Sequence, residues 1–388
     1  VTAESLLSAD LLARIHSRAA GHDRENTFFD DDLAELAAAG YLRLFVPVAL
    51  GGSGATLETA VALQRRLAAA APATALAVNM HLVWTAVAAR LSAHGDDSLD
   101  FVLREAADGE VFGFGISEAG NDLMLFGSTT AAVPESDGGY RFTGRKIFTS
   151  MSPAWTRLGT MGLDSTSADA PKIVYAFLDR GDPGVSALDD WDTLGMRASQ
   201  SRTTVFDGAR ASADRVVRRF APGPHADPLV FGIFAAFEIL LSSVYTGIAD
   251  RALELAVEAA HRRTSAKLGR PLAHDPDVRR RIAAAAIALD ALGPQLTGLA
   301  RDVDSDVDHG AFWFARLSAL KVRATETAKD VVEASVRVAG GSSYFAGDEL
   351  GRLYRDVLAG LFQPSSDDSA HGTMATAWLG PVPDGAPG

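Results

Sequence analysis

Within PLVFGIFAAFEILLSSVYTGIA, residues 228 to 249, Glu238 is the only charged side chain. A carboxylate taken out of water needs a cation, a proton or a cavity, because an unpaired buried charge is strongly unfavourable. Glu238 therefore reads as a proton-handling group in a pocket, as half of a buried ion pair, or as a residue on an exposed helix face. A second set of acids, Asp367 and Asp368, stands in QPSSDDSAH, with His371 close behind. One reading is a general base. The other is a helix N-terminus capped by Ser365 or Ser366, with the acids against the positive end of the helix dipole. The segment HRRTSAK, with Arg262, Thr264 and Ser265, has the donors to hold a phosphate. Two arginines at a helix end also suit simple dipole compensation. The chain has no cysteine, which excludes disulfides, thiolate metal sites and a cysteine nucleophile, and no metal site is expected.

These groups must be placed by a chain of 388 residues, long enough for several packed layers. Residues 1–110 show apolar spacings of three and four, as in DDLAELAAAGYLRLF, and predict a helical region. The Gly-rich FVPVALGGSG interrupts it and reads as a plain loop, since it lacks the ending of a phosphate loop. Residues 111–222 change to short runs rich in β-branched and aromatic residues, such as GYRFTG and KIVYAFL, separated by turn formers. They predict a compact β sandwich or barrel. Helical periodicity returns over 223–388 in segments long enough for a four-helix bundle, ending in a GPVPDGAPG tail expected to fray. The run around Glu238 is expected to be a buried core helix and not a membrane span. The acidic N-terminal segment lacks a signal-peptide pattern and reads as a first helix, so a cytoplasmic location is expected. A formal net charge of −13 disfavours nucleic acid as a partner.

Three segments carry a family resemblance. They are FGFGISEAGNDLMLFGSTTA followed by GGYRFTGRKIFTS, then DTLGMRASQSRTTVFDGARASADRVV, then VRVAGGSSYFAGDELGRLYRDV with its Arg355-Asp356 pair. In this order and spacing they resemble signatures of the acyl-CoA dehydrogenase family, over nearly the whole chain. The resemblance implies a mainly α fold with a central β domain and a bound FAD. It places Phe114, Ile116 and Ser117 at the flavin pyrimidine edge, Phe148 against the ring and the Ser150 hydroxyl at N5. Read without it, Phe148 would simply alternate into a β core and Ser150 would end a strand. Arg262, Thr264 and Ser265 would reach the FAD pyrophosphate of a neighbouring subunit, with Arg337, Gly340 and Gly341 as further contacts and Ser366 as a flavin-side hydroxyl. Ser265 stands where the family has an aromatic residue. A site drawn from two subunits implies a homodimer or homotetramer.

The activity implied first is α,β-dehydrogenation of an acyl-CoA thioester, with hydride transfer to the flavin. That reaction needs a carboxylate to remove the α proton. Counted from Arg355-Asp356, the usual Glu of a Glu-Gly-Thr motif is replaced by Pro364. A second family location for the base falls at Phe237, one residue and about 100° of helix from Glu238. Glu238, Asp367 and Asp368 are thus the candidate bases, with Asn121, Phe237 and Pro364 on the substrate side. The alternative is a monooxygenase on the same fold, acting on an aromatic, sulfur or amino-sugar substrate. It would receive reduced flavin, FMN or FAD, from a reductase and need no such base. A non-catalytic flavoprotein is the third reading.

Overall fold

The computed structural model describes residues 6–167, 170–267 and 269–382. The first residues of the expected N-terminal helix, 1–5, and the end of the C-terminal tail, 383–388, lie outside them.

Among the described residues the first region holds the helices α1 Ala9–Glu25, α2 Asp30–Ala38, α3 Leu57–Ala70, α4 Pro72–Ala93 and α5 Asp100–Ala107. Side chains cap two of them. Ser8 accepts from the Leu11 N–H at the head of α1, and Thr56 from the Thr59 N–H at the head of α3. A proline opens α4, where a missing N–H is harmless. The Gly-rich segment before α3 forms only a short 3-10 turn, Val48–Leu50, ended by Gly51 at φ 81°.

Eight strands follow: β1 Phe112–Gly115, β2 Ala131–Pro134, β3 Tyr140–Thr149, β4 Arg157–Asp164, β5 Lys172–Asp179, β6 Val185–Ala187, β7 Arg202–Ala211 and β8 Val216–Phe220. They form one hydrogen-bonded sheet in the order β6-β7-β3-β2-β4-β5-β8, with β1 parallel beside β4. Trp84 of α4 ties the helices to the sheet: its indole N–H donates to the Gly113 carbonyl at 2.9 Å, and its ring meets Phe177 edge-on. Residue 159 must be glycine, because a Cβ there would lie 2.3 Å from that indole.

The helices of the C-terminal region are α6 Pro228–Arg262, α7 Pro276–Asp290, α8 Leu292–Asp304, α9 Phe312–Ala339, α10 Glu349–Val357 and α11 Asp367–Leu379, and Thr264–Ser265 pairs antiparallel with Arg270–Pro271 between α6 and α7. Asp227 caps α6 and Pro228 occupies its first turn. The 35-residue α6 is the central helix, packed against α3, α4 and α9. Its most apolar window is 89% buried inside the protein, so the apolar run around Glu238 serves the core. By length and composition α4, α6 and the α7–α8 stretch are each sufficient to cross a membrane. The fold is the mainly α architecture with a central β domain that the sequence predicts.

Candidate functional site

A cavity of two adjoining lobes, about 230 and 320 Å³, opens between the β sheet, α6 and the segment that links α10 to α11. Phe114, Ser117, Phe148, Phe237, Phe362 and Pro364 line both lobes. Phe114 at the end of β1 and Phe237 on α6 are stacked, with ring centroids 5.6 Å apart.

Strand β3 makes one wall. Its alternation buries Tyr140, Phe142 and Lys146 on the same side. Between Lys146 and Thr149 the register with β7 slips at a bulge. An extra residue on one strand breaks the alternation there. Phe148 leaves the ladder at φ 57° with 58% of its surface exposed, and its ring faces the cavity instead of the β core. A non-glycine residue in that conformation is strained and clusters at functional sites.

Two residues before Phe148, the fully buried Lys146 ammonium meets Glu118 Oε1 at 2.5 Å. Ser128, Thr129, Thr130 and Asn121 complete the hydrogen bonds to this carboxylate. The lysine and these donors hold it down at about 2 against the desolvation that opposes ionisation, while burial lowers the ammonium to about 8 despite its partner. Both groups are charged at neutral pH. Asn121 lines the first lobe, but its amide N–H groups donate to Glu118 and to the Gly127 carbonyl, so it fixes the 118–128 loop.

The second lobe has an aromatic body and a hydroxyl edge. Phe114, Phe148 and Trp191 contribute rings, and Ser117, Ser150 and Ser201 contribute hydroxyls. Ser150 Oγ lies 2.8 Å from Ser201 Oγ, which in turn lies 2.7 Å from Ser199 Oγ. The 194–196 loop closes the lobe and explains the Arg355-Asp356 pair. Arg355 donates to the Leu194 carbonyl and pairs with Asp23, while buried Asp356 accepts from the Met196 N–H at 2.6 Å. Burial raises the Asp356 carboxyl to about 6. The surface is suited to a flat aromatic ring with a polar edge.

Glu238 forms part of the first lobe. Only 1% of it is exposed, and the Ser365 N–H and hydroxyl both donate to Oε1, at 3.0 and 2.6 Å. Oε2 has no hydrogen-bond partner among the described residues. Burial pushes this carboxyl up to about 7, opposed by Ser365 and by the charge of Lys321 on α9. The Lys321 ammonium is itself bound to the carbonyls of Gly360 and Gln363, at 2.7 and 2.5 Å.

The structure brings Phe114, Ile116, Ser117, Asn121, Phe148, Ser150, Phe237, Glu238 and Pro364 to one cavity. It leaves the other candidate bases outside. Asp367 and Asp368 are exposed in the first turn of α11, and Ser366 is the N-cap of that helix, accepting from the Ser369 N–H. His371 is exposed one turn further on. Arg262, Thr264, Ser265, Arg337, Gly340 and Gly341 do not line either lobe. Arg262 ends α6, and Arg337 pairs with Glu333. Arg263, which the sequence did not single out, donates to the Val338 and Ala339 carbonyls and fills the space where a Cβ on Gly340 would lie. Sequence reasoning also missed Glu118, Lys146, Trp191 and Ser201. Among the described residues no group of three or more His, Asp and Glu side chains is arranged for a metal.

The family model for the acyl-CoA dehydrogenase N-terminal domain matches residues 10–119, and that for the C-terminal domain matches residues 239–362. An amino sugar nitrososynthase of Streptomyces rubradiris is 32% identical over 369 residues, covering 90% of this chain and 83% of the relative. A dibenzothiophene monooxygenase of Mycolicibacterium goodii is 28% identical over 349 residues, 84% of this chain and 82% of its own. The X-ray structure of KijD3 in complex with FMN and dTDP-3-amino-2,3,6-trideoxy-4-keto-3-methyl-D-glucose superposes with a TM-score of 0.87 at 28% identity, covering 99% of this chain and 95% of that one. With motifs, fold, cavity and full-length relatives in agreement, the chain belongs to the acyl-CoA dehydrogenase family of flavin-dependent oxidoreductases.

Proposed function

We propose that this chain is a reduced-flavin-dependent monooxygenase and not an acyl-CoA dehydrogenase. The observation that carries the reading is Pro364. It lines both lobes of the cavity at the position of the usual Glu-Gly-Thr base, a prolyl ring cannot accept a proton, and the second base location holds Phe237, with Glu238 turned about 100° of helix away from it. The nitrososynthase and monooxygenase relatives support it, being similar over most of both chains.

A flavin fits the second lobe. Phe114, Phe148 and Trp191 would contact the ring, and Ser117, Ser150 and Ser201 would offer hydroxyls to its polar edge. FMN and FAD share that ring. In the FAD case Arg262, Thr264, Ser265, Arg337, Gly340 and Gly341 are proposed to reach the pyrophosphate from a second copy of the chain, in a dimer or tetramer. A reduced flavin, supplied by a separate reductase, brings two electrons and two protons, with which one atom of dioxygen enters the substrate and the other leaves as water. The residues of the chain hold the ring, line the first lobe with apolar surface, and exclude water from it.

Two assays separate the activities. Mixing the oxidised, flavin-loaded protein anaerobically with a panel of acyl-CoAs should leave the flavin absorbance unchanged, whereas a dehydrogenase would bleach it. Supplying reduced flavin from a reductase in air should give oxygen uptake linked to product from an amine, sulfide or indole panel. Bleaching by any acyl-CoA, or reduced flavin that never oxygenates a substrate, would refute the reading.

A further inference from the structure

After Leu188, whose N–H still donates to the Thr203 carbonyl, the chain leaves the sheet and runs along the second lobe before β7 begins. Trp191, Thr193, Leu194, Gly195 and Met196 line that lobe. Among the described residues no strand pair includes them, and their backbone is held by side chains from two other regions of the chain. At the end of α1, Asn26 donates to the Trp191 carbonyl at 2.6 Å. From α10, Arg355 donates to the Leu194 carbonyl at 2.8 Å, and Asp356 accepts from the Met196 N–H at 2.6 Å. Arg355 also pairs with Asp23 of α1, whose backbone carbonyl takes the Arg197 guanidinium at 2.8 Å. Two helices and the loop thus meet at one clasp. The seat is close, since a Cβ on residue 195 would lie 2.2 Å from the Arg355 carbonyl oxygen. Of the side chains in 191–196 only Met196 is buried, and Leu194 is 63% exposed. A wall tied by a few side-chain bonds and by no ladder can open while the sheet stays whole.

We propose that residues 191–196 form a flap through which flavin enters and leaves the second lobe, with Asp23, Arg355 and Asp356 as the positioning residues that hold it shut. This rests on the reading in which a separate reductase supplies the flavin, because a delivered flavin must also be exchanged. Asp23 and Asp356 do not line the lobe, so they act on flavin only through the flap. Loosening them speeds entry and exit together, whereas losing a wall contact to the ring would speed exit alone. The clasp also carries a pH dependence. Burial raises the Asp356 carboxyl to about 6; Arg352 and Arg355 of its own helix and Asp23 of α1 are the charges that bear on it, and His22 and Arg197 line the same small pocket. Above that value Asp356 is a carboxylate that holds the Met196 N–H. Protonation below it weakens the acceptor, so both rates should rise as pH falls from about 7.5 to about 5.

Stopped-flow fluorescence of FMN binding and release, or of FAD if the chain retains FAD instead, tests the flap. Asp23→Asn and, separately, Asp356→Asn should each raise both rate constants about tenfold while the dissociation constant stays within about threefold of wild type. Asp356→Asn should in addition lose the acid step. Thermal melts establish that each variant is folded. In a folded variant, unchanged rates or a rise in the exit rate alone would overturn the inference. The wild-type pH profile needs no variant, and rates that stay level through the acid range would overturn it too. Oxygen uptake with a reductase is scored separately: coupled changes in entry and exit without any oxygenated product would uphold the flap and refute the monooxygenase reading.

Discussion

Ser365 donates its backbone N–H and its hydroxyl to the same carboxyl oxygen of Glu238, at 3.0 and 2.6 Å. The bond pair joins α6 to the segment that carries Phe362, Gln363 and Pro364 into the cavity. Lys321 secures the same segment from α9 through the Gly360 and Gln363 carbonyls, and Tyr245 through the Gln363 side chain. A polar cluster inside an apolar bundle thus sets the shape of one cavity wall.

Ser365→Ala removes the hydroxyl half of this arrangement. The backbone bond remains, so the fold should persist with a loss of about 1–2 kcal/mol in urea denaturation. A donor to the ionised form is also lost, so Glu238 should titrate above its present value of about 7. Carboxyl-labelled NMR or infrared titration reads this shift, and a fall in the titration point would contradict the geometry.

The pH dependence of stability carries a second prediction. Glu238 has its folded-state value raised from 4.5 to about 7 by burial. Between these values the folded chain holds a proton that the unfolded chain has released, so this residue's contribution to stability falls as pH rises from about 4.5 to about 7. Glu238→Gln carries no ionisation, so it should gain on the wild type over that window by about 3 kcal/mol and then level off. Paired thermal melts from pH 4 to 9 give the difference curve. A flat curve would mean that the carboxyl is not buried as described.

Lys146→Met leaves the Glu118 carboxylate buried without its cation. The variant should lose about 3 kcal/mol, and Glu118→Gln combined with it should recover part of that loss. A double-mutant cycle in urea measures the coupling. Additive losses would show that the two residues do not act as a pair.

Phe148 tests site against core. It lines both lobes and is mostly exposed, so Phe148→Ala should weaken flavin binding about tenfold while leaving the melting temperature nearly unchanged. Fluorescence titration and a thermal melt decide it; a large drop in melting temperature with unaltered flavin affinity would assign the ring to packing.

The arrangement of helices, strands and helices was legible because apolar period changes at each transition, and Glu238 because a lone charge in an apolar helix demands a reason. The Glu118–Lys146 pair left a signal too: Lys146 falls on the inward parity of β3 with Tyr140 and Phe142, and an inward lysine requires a buried acid. What the sequence concealed was long-range. The bulge that turns Phe148 out of alternation arises from pairing with β7, and Ser201, just before β7, reaches Ser150 across 51 residues of chain. The acids of QPSSDDSAH carried no site information, because Ser366 and the two aspartates serve the start of α11.

The central claim is that reduced flavin in this cavity activates dioxygen for a substrate. The most direct measurement supplies reduced flavin from a separate reductase under labelled dioxygen, with the amine, sulfide and indole panel as substrates, and weighs the product by mass spectrometry. The account predicts one labelled oxygen atom in the product and the other in water. Product oxygen derived from solvent, or loss of two hydrogens from an acyl thioester with no oxygen gained, would contradict it.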